Sequence, residues 1–148
     1  MIGLEIVQTT WGPVSIGEDA CGVCAVRFGV LGAPFGMLKT DAVQQLLAYA
    51  AHARTTFSVP LSMEGVTAFA RSCYQMAMQI PYGQTRTYGE LALMLGKPQA
   101  ARAVGMAMGR CTLMPFVPCH RVTSAHGAVK GGGAQMRNAL LSHEEKNR

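Results

Sequence analysis

Cys119 lies in the run Val117-Pro118-Cys119-His120-Arg121, and a cysteine in that company can serve as a nucleophile. A free thiol titrates near about 8.5 and its thiolate is the reactive form, so neighbours that favour the anion set its worth. His120 and Arg121 supply a base and a positive charge, and Pro118 fixes the backbone just before the thiol. Downstream, Leu140-Leu141-Ser142-His143-Glu144 closes a helical pattern and offers a carboxylate. Cys119, His120 and Glu144 thus have the nucleophile, base and orienter types of an activated thiol. The competing reading of the same residues is a buried cysteine beside two surface side chains. Phe116-Val117-Pro118 reads as a short apolar strand, and adjacent side chains on a strand point apart.

Two other cysteines, Cys21 and Cys24, have the CxxC spacing of zinc and redox sites. A tetrahedral zinc site needs two more ligands, and neither a second CxxC nor a paired His follows. The flanking Ala20, Val23, Ala25 and Val26 read as strand, so these are expected to be packing thiols, with no metal bound. Five cysteines is an odd number, and reduced thiols are the expectation for a chain read as intracellular.

Residues 4–38 are rich in glycine and β-branched residues, with turn signals at Trp11-Gly12-Pro13 and Gly17-Glu18-Asp19, and read as two or three short antiparallel strands. A helix is predicted over residues 41–53, with Asp41 as N-cap and Val43, Leu46, Leu47 and Ala50 on one face. Residues 55–61 read as an extended linker. A second helix is predicted over residues 63–79, with Val66, Phe69, Ala70, Cys73, Ala77 and Ile80 near helical spacing. Residues 88–95 and 99–110 read as two further helices, separated by Gly96-Lys97-Pro98, where glycine stops one and proline opens the next. That outline is a helix-turn-helix, and the second helix is nearly all small residues with one cation, Arg102. The predicted fold class is α+β: a small N-terminal antiparallel sheet with a helix, followed by a mostly helical C-terminal domain containing the helix-turn-helix. The boundary is placed between residues 1–61 and 62–148.

Net charge is +5 over 148 residues, unevenly spread. Residues 1–80 carry four Lys/Arg and five Asp/Glu, whereas residues 81–148 carry nine and three. A basic half beside a near-neutral half points to a polyanion partner such as nucleic acid. No apolar run approaches the roughly 18 residues of a membrane span, and the first 20 residues lack a basic start. The expectation is a soluble cytoplasmic protein with no membrane partner.

Four stretches then occur in one order: residues 80–92 (Ile-Pro-Tyr-Gly-Gln-Thr-Arg-Thr-Tyr-Gly-Glu-Leu-Ala), 100–105 (Ala-Ala-Arg-Ala-Val-Gly), 117–122 (Val-Pro-Cys-His-Arg-Val) and 140–144 (Leu-Leu-Ser-His-Glu). In them the chain resembles the O6-alkylguanine-DNA alkyltransferases, over about residues 42–148. The resemblance implies a single-turnover S-methyltransferase that repairs DNA, with no cofactor, acting as a monomer on double-stranded DNA. Cys119 would accept the alkyl group, His120 would act as base on its thiol through a water, and Glu144 would hold His120 in its useful tautomer. Tyr88 would press on the target's phosphate, and Arg102 would fill the place of the flipped base. The helix bearing Ala100, Ala101, Ala103 and Gly105 would enter the minor groove, with Arg121 also grouped among the DNA-binding residues. Met108, Val122, Val129 and Gly132 would line the substrate pocket. Residues 1–61 would be structural, and residues 62–148 would bind DNA and carry the acceptor. O4-alkylthymine is left open as a second substrate.

The chain departs from the family's pattern twice. Where the family usually has Asn eight residues before the acceptor, bracing the reactive loop, this chain has Cys111, a poorer hydrogen-bonding group. Residues 128–133 lack the family's Tyr and are shorter than in longer members. The alternative function is that of alkyltransferase-like proteins, which bind lesions without repairing them but typically have Trp in place of the acceptor. A cysteine hydrolase using Cys119 and His120 would leave the Ala/Arg helix without a purpose.

Overall fold

A computed structural model describes residues 1–125, 127 and 134–146. The chain forms two compact units, Met1–Glu64 and Gly65–Arg148. The division falls beyond the 61/62 boundary expected from sequence.

The first unit is built on a three-stranded antiparallel sheet, β1 (Gly3–Thr9), β2 (Gly12–Asp19) and β3 (Gly22–Phe28), in the order β1-β2-β3. Its turns are set by side chains that occupy backbone groups. Thr9 Oγ1 accepts from the Trp11 amide at 3.0 Å and donates to the Gly12 carbonyl at 2.8 Å. Asp19 Oδ1 accepts from the amides of Cys21 and Gly22 at 2.8 and 3.2 Å, and Gly22 takes a φ of +143°. Val14, Ile16 and Val23 are fully buried with Leu46 and Tyr49 of helix α1 (Ala42–Ala50).

This helix is shorter than the pattern predicts, and its inner face differs. Ala42, Gln45, Leu46 and Tyr49 are buried, while Leu47 is exposed. Gln45 is inside because its amide is fully used: Nε2 donates to Asp41 Oδ1 and Ser58 Oγ, and Oε1 accepts from the Ser58 amide. Asp41 occupies the N-cap position without capping the backbone; its carboxylate is given to Gln45. Residues 55–61 are likewise no linker. The Pro60 carbonyl accepts from Val23 N at 2.9 Å, and Ser62 N donates to the Val23 carbonyl at 2.8 Å, extending the sheet at β3. Ser62 Oγ donates to Asp19 Oδ2 at 2.5 Å, so the segment belongs to the first unit.

The second unit contains α2 (Ala68–Ala77), β4 (Arg86–Thr87), α3 (Tyr88–Met94), α4 (Ala101–Gly109), a 3-10 turn (Cys119–Arg121), β5 (Val122–Thr123) and α5 (Ala134–Glu145). Helix α2 starts later than predicted because Thr67 is its N-cap, accepting from Ala70 N at 3.2 Å, and Gly65 just upstream has a φ of +80°. Cys73, Tyr74 and Ala77 face inward, and the Tyr74 hydroxyl donates to the Ala107 carbonyl at 2.9 Å, tying α2 to α4. Helix α3 opens on a capping box: Thr87 Oγ1 accepts from Glu90 N at 3.0 Å, and Glu90 Oε1 accepts from Thr87 N at 2.9 Å. Gly96, at a φ of +73°, then turns the chain toward α4, completing the predicted helix-turn-helix outline. Strands β4 and β5 pair in parallel, Arg86 with Val122 and Thr87 with Thr123. This short ladder holds the start of α3 beside the segment that follows the thiol.

Candidate active site

The segment before Cys119 is a turn rather than the strand expected from sequence. Val117 N donates to the Leu113 carbonyl, Cys119 N to Val117 and Arg121 N to Pro118, at 3.0, 2.8 and 3.0 Å. Cys119, His120 and Arg121 follow in one turn of 3-10 helix, with about three residues per turn. In a strand, neighbouring side chains would face opposite ways; in this turn His120 and Arg121 both reach Glu144 of α5.

Glu144 is 1% exposed, and its two oxygens are filled by four donors. Oε2 is 2.5 Å from His120 Nε2 and 3.0 Å from Arg121 Nη2. Oε1 accepts from Arg121 Nε at 2.9 Å and from the Gly83 amide at 3.0 Å. The remaining guanidinium nitrogen, Nη1, donates to the Ile80 carbonyl at 2.8 Å, and the Tyr82 ring lies 5.6 Å from the guanidinium carbon. Arg121 is thus a buried structural cation, 6% exposed, and not one of the outward DNA-binding residues among which the sequence placed it. Residues 80–83 are the part of the site that residue-type reasoning missed. The signal was present in the Ile80-Pro81-Tyr82-Gly83 motif, but backbone acceptors and donors carry no side-chain signature.

The electrostatics follow from this geometry. Burial raises the Glu144 carboxyl, but hydrogen bonds from His120 and Arg121 together with their charges outweigh it and hold it well below the usual carboxylate range. Burial pushes His120 down from its ordinary value, and the nearby Arg121 charge works in the same direction against the pull of Glu144. The arrangement is a neutral imidazole beside an ionised carboxylate whose charge Arg121 balances. With Nε2–H donating to Glu144, Nδ1 carries the lone pair, and Nδ1 is buried without a hydrogen-bond partner.

Cys119 is fully buried, and its sulfur is joined to that of Cys111 in a disulfide, with the Cα atoms 6.8 Å apart. This overturns the expectation that every thiol is reduced, and it replaces loop support by hydrogen bonding with a covalent tie. Cys21, Cys24 and Cys73 are free. Cys21 and Cys24 lie at the β2–β3 turn and in β3 without bonding each other, and burial raises the Cys24 thiol. Among the described residues no group of three or more His, Cys, Asp or Glu side chains is placed to hold a metal ion. No helix among them is long and apolar enough to cross a membrane.

The other predicted residues form a second feature on the outer face of the helix pair. Arg102 and Ala103 are exposed on α4, and Ala100, Ala101 and Gly105 are partly so. Tyr88, at the first position of α3, lies against Gly105: a side-chain carbon there would sit 3.3 Å from its ring atoms. Gly105 therefore makes room for Tyr88 within the protein. Tyr88, Arg102, Gly105, Arg110 and Ser124 are among the residues lining a concavity of about 810 Å³ on this face. Met108 and Val122, expected in the substrate pocket, are fully buried and do not line it. The Met108 carbonyl instead accepts from Arg137 Nη2 at 2.6 Å. Val129 and Gly132 lie outside the described residues.

The class of protein that carries this site on a helix-turn-helix unit follows from its similarity to known proteins. The family model for the DNA-binding domain of 6-O-methylguanine DNA methyltransferase matches residues 68–146. The chain is 44% identical over 150 residues to a methylated-DNA–protein-cysteine methyltransferase of Methanosarcina acetivorans, covering 94% of this chain and 96% of that one. It is 46% identical over 108 residues to the Mycobacterium tuberculosis protein of the same name, covering 72% of this chain; the aligned part spans 65% of that relative. The crystal structure of a Mycobacterium tuberculosis O6-methylguanine methyltransferase superposes with a TM-score of 0.89 at 34% identity, covering 100% of this chain and 95% of that one. The Mycobacterium tuberculosis OGT structure in complex with DNA gives a TM-score of 0.80 at 34% identity, covering 96% and 92%. The chain belongs to the methylated-DNA–protein-cysteine methyltransferase family.

Proposed function

We propose that this chain repairs alkylated DNA by moving an alkyl group from O6 of guanine to Sγ of Cys119. The observation that carries this reading is the His120–Glu144–Arg121 network, in the residues that directly follow Cys119: burial keeps His120 neutral, and the hydrogen bond to Glu144 fixes Nε2 as the donor and leaves Nδ1 as a base. In the dithiol form His120 takes the Cys119 proton, directly or through a water. The thiolate attacks the alkyl carbon, the carbon–O6 bond breaks, and guanine leaves as it regains a proton. The product is a thioether, so each chain acts once and no cofactor takes part.

The base must leave the stack to meet a buried sulfur. The α4 face supports entry of that helix into the minor groove, because Ala101 and Ala103 keep it slim and the exposed Arg102 can extend from it. Tyr88 is positioned over Gly105 at the start of α3, where it would bear on the phosphate of the flipped nucleotide.

The test is incubation of the reduced protein with a duplex carrying radiolabelled O6-methylguanine. One label per chain is expected on wild type and none on Cys119→Ala. An unlabelled reduced wild type, or a labelled Cys119→Ala, would overturn the assignment.

A further inference from the structure

We propose that Cys111 is a redox gate for the acceptor: a reversible Cys111–Cys119 disulfide, formed by exchange with a low-molecular-weight disulfide, switches alkyl transfer off. The proposal rests on the reading of Cys119 as the acceptor, but its chemistry can be followed without activity.

Three observations carry it. The two sulfurs are bonded, across a Cα separation of 6.8 Å that lies within the reach of a disulfide, about 4.4–6.8 Å. Their exposures differ: Cys119 is fully buried, whereas Cys111, just past the end of α4, is partly open to solvent. The other cysteine of this unit, Cys73, is buried and free, so the pairing singles out the nucleophile and its outer neighbour.

The difference in exposure orders the steps. The Cys111 thiolate attacks one sulfur of the small disulfide, whose S–S bond breaks and releases one small thiol that takes up the proton Cys111 lost. Cys119, giving its proton to His120 or to water, then attacks Cys111 Sγ. The bond from Cys111 to the second small thiol breaks, and that thiol leaves with a proton. The protein dithiol has lost two electrons and two protons, and the small disulfide has become two thiols. Reduction runs the same path backward, with the small thiol attacking Cys111. While the bond stands, Cys119 has no thiolate to offer. It is also shielded from the sulfinic and sulfonic states that cannot be reversed by thiols.

The experiment titrates the full chain with oxidised glutathione and reads two signals. Peptide mass analysis should find Cys111 joined to Cys119, with Cys73 unmodified, and alkyl transfer should be lost over the same range of oxidant. Dithiothreitol should return both. Cys111→Ser, compared with its own reduced state, should keep its transfer rate in oxidised glutathione. The proposal is overturned if no Cys111–Cys119 cross-link forms, if the cross-linked protein transfers at the reduced rate, or if Cys111→Ser is inhibited as strongly as wild type. If reduced wild type transfers nothing, the repair reading fails, while the cross-link and its reversal still decide the exchange chemistry.

Discussion

Each unit of this protein buries one glutamate to the same depth, and the two are held in different ways. Glu18 in β2 and Glu144 in α5 are both 1% exposed. Glu18 accepts from the amides of Lys39 and Thr40 at 2.8 and 3.2 Å and is hydrogen-bonded to the Thr40 hydroxyl. All three donors are neutral and sit in the connection leading to α1, so this carboxylate pins a loop to the sheet. Glu144 has one backbone donor, Gly83, and otherwise faces a guanidinium and an imidazole. A buried carboxylate is thus no mark of a site. What distinguishes Glu144 is that its partners include an imidazole, a group that can exchange a proton, next in sequence to the proposed acceptor Cys119.

The comparison can be broken by removing each carboxylate. Glu144→Ala leaves the Arg121 charge buried without its counterion and is expected to cost about 3–5 kcal/mol of stability. Glu18→Ala strands neutral donors and is expected to cost about 1–3 kcal/mol. Urea unfolding of both variants decides the order. Equal losses would mean that Arg121 finds another partner and that charge pairing does not separate the two sites.

Acid should act through the second unit next. His120 is depressed by burial, so an unfolded chain takes up its proton first. The stability His120 brings is present above its ordinary value near 6.5 and is lost as pH falls below it. Glu144, also depressed, adds a further loss below the ordinary carboxylate range. Between pH 7 and pH 5 wild type should lose up to about 2 kcal/mol, and His120→Gln should lose less. Thermal melts across this range check the sign: a stability that rises on acidification would contradict a neutral buried His120.

The smallest effect on folding should come from the exposed face. Arg102→Ala is expected to change stability by no more than about 0.5 kcal/mol. It should nonetheless slow transfer from duplex DNA while leaving transfer from a free O6-alkylguanine base unchanged, because only the duplex requires flipping. Equal slowing on both substrates would place Arg102 in the chemistry instead.

Sequence by itself determined which residues could act and the kind of unit that holds them. The antiparallel strands, the helix pair around Gly96 and the run at Cys119 were legible because turns, caps and motif residues act over a few positions. The inner face of α1 departs from the apolar periodicity, because Gln45 is buried by a pairing with Ser58, 13 residues away, that no periodicity encodes. Tertiary structure alone decided that Arg121 turns inward, that Gly105 serves Tyr88, and that Ile80 and Gly83 complete the Glu144 network. Those partners are 41 and 61 residues from Arg121 and Glu144 along the chain. It alone also decided that Cys111 meets Cys119. A thiol eight residues away reads from sequence as a poor substitute for an amide; only a chain that turns back between them brings the two sulfurs within bonding distance.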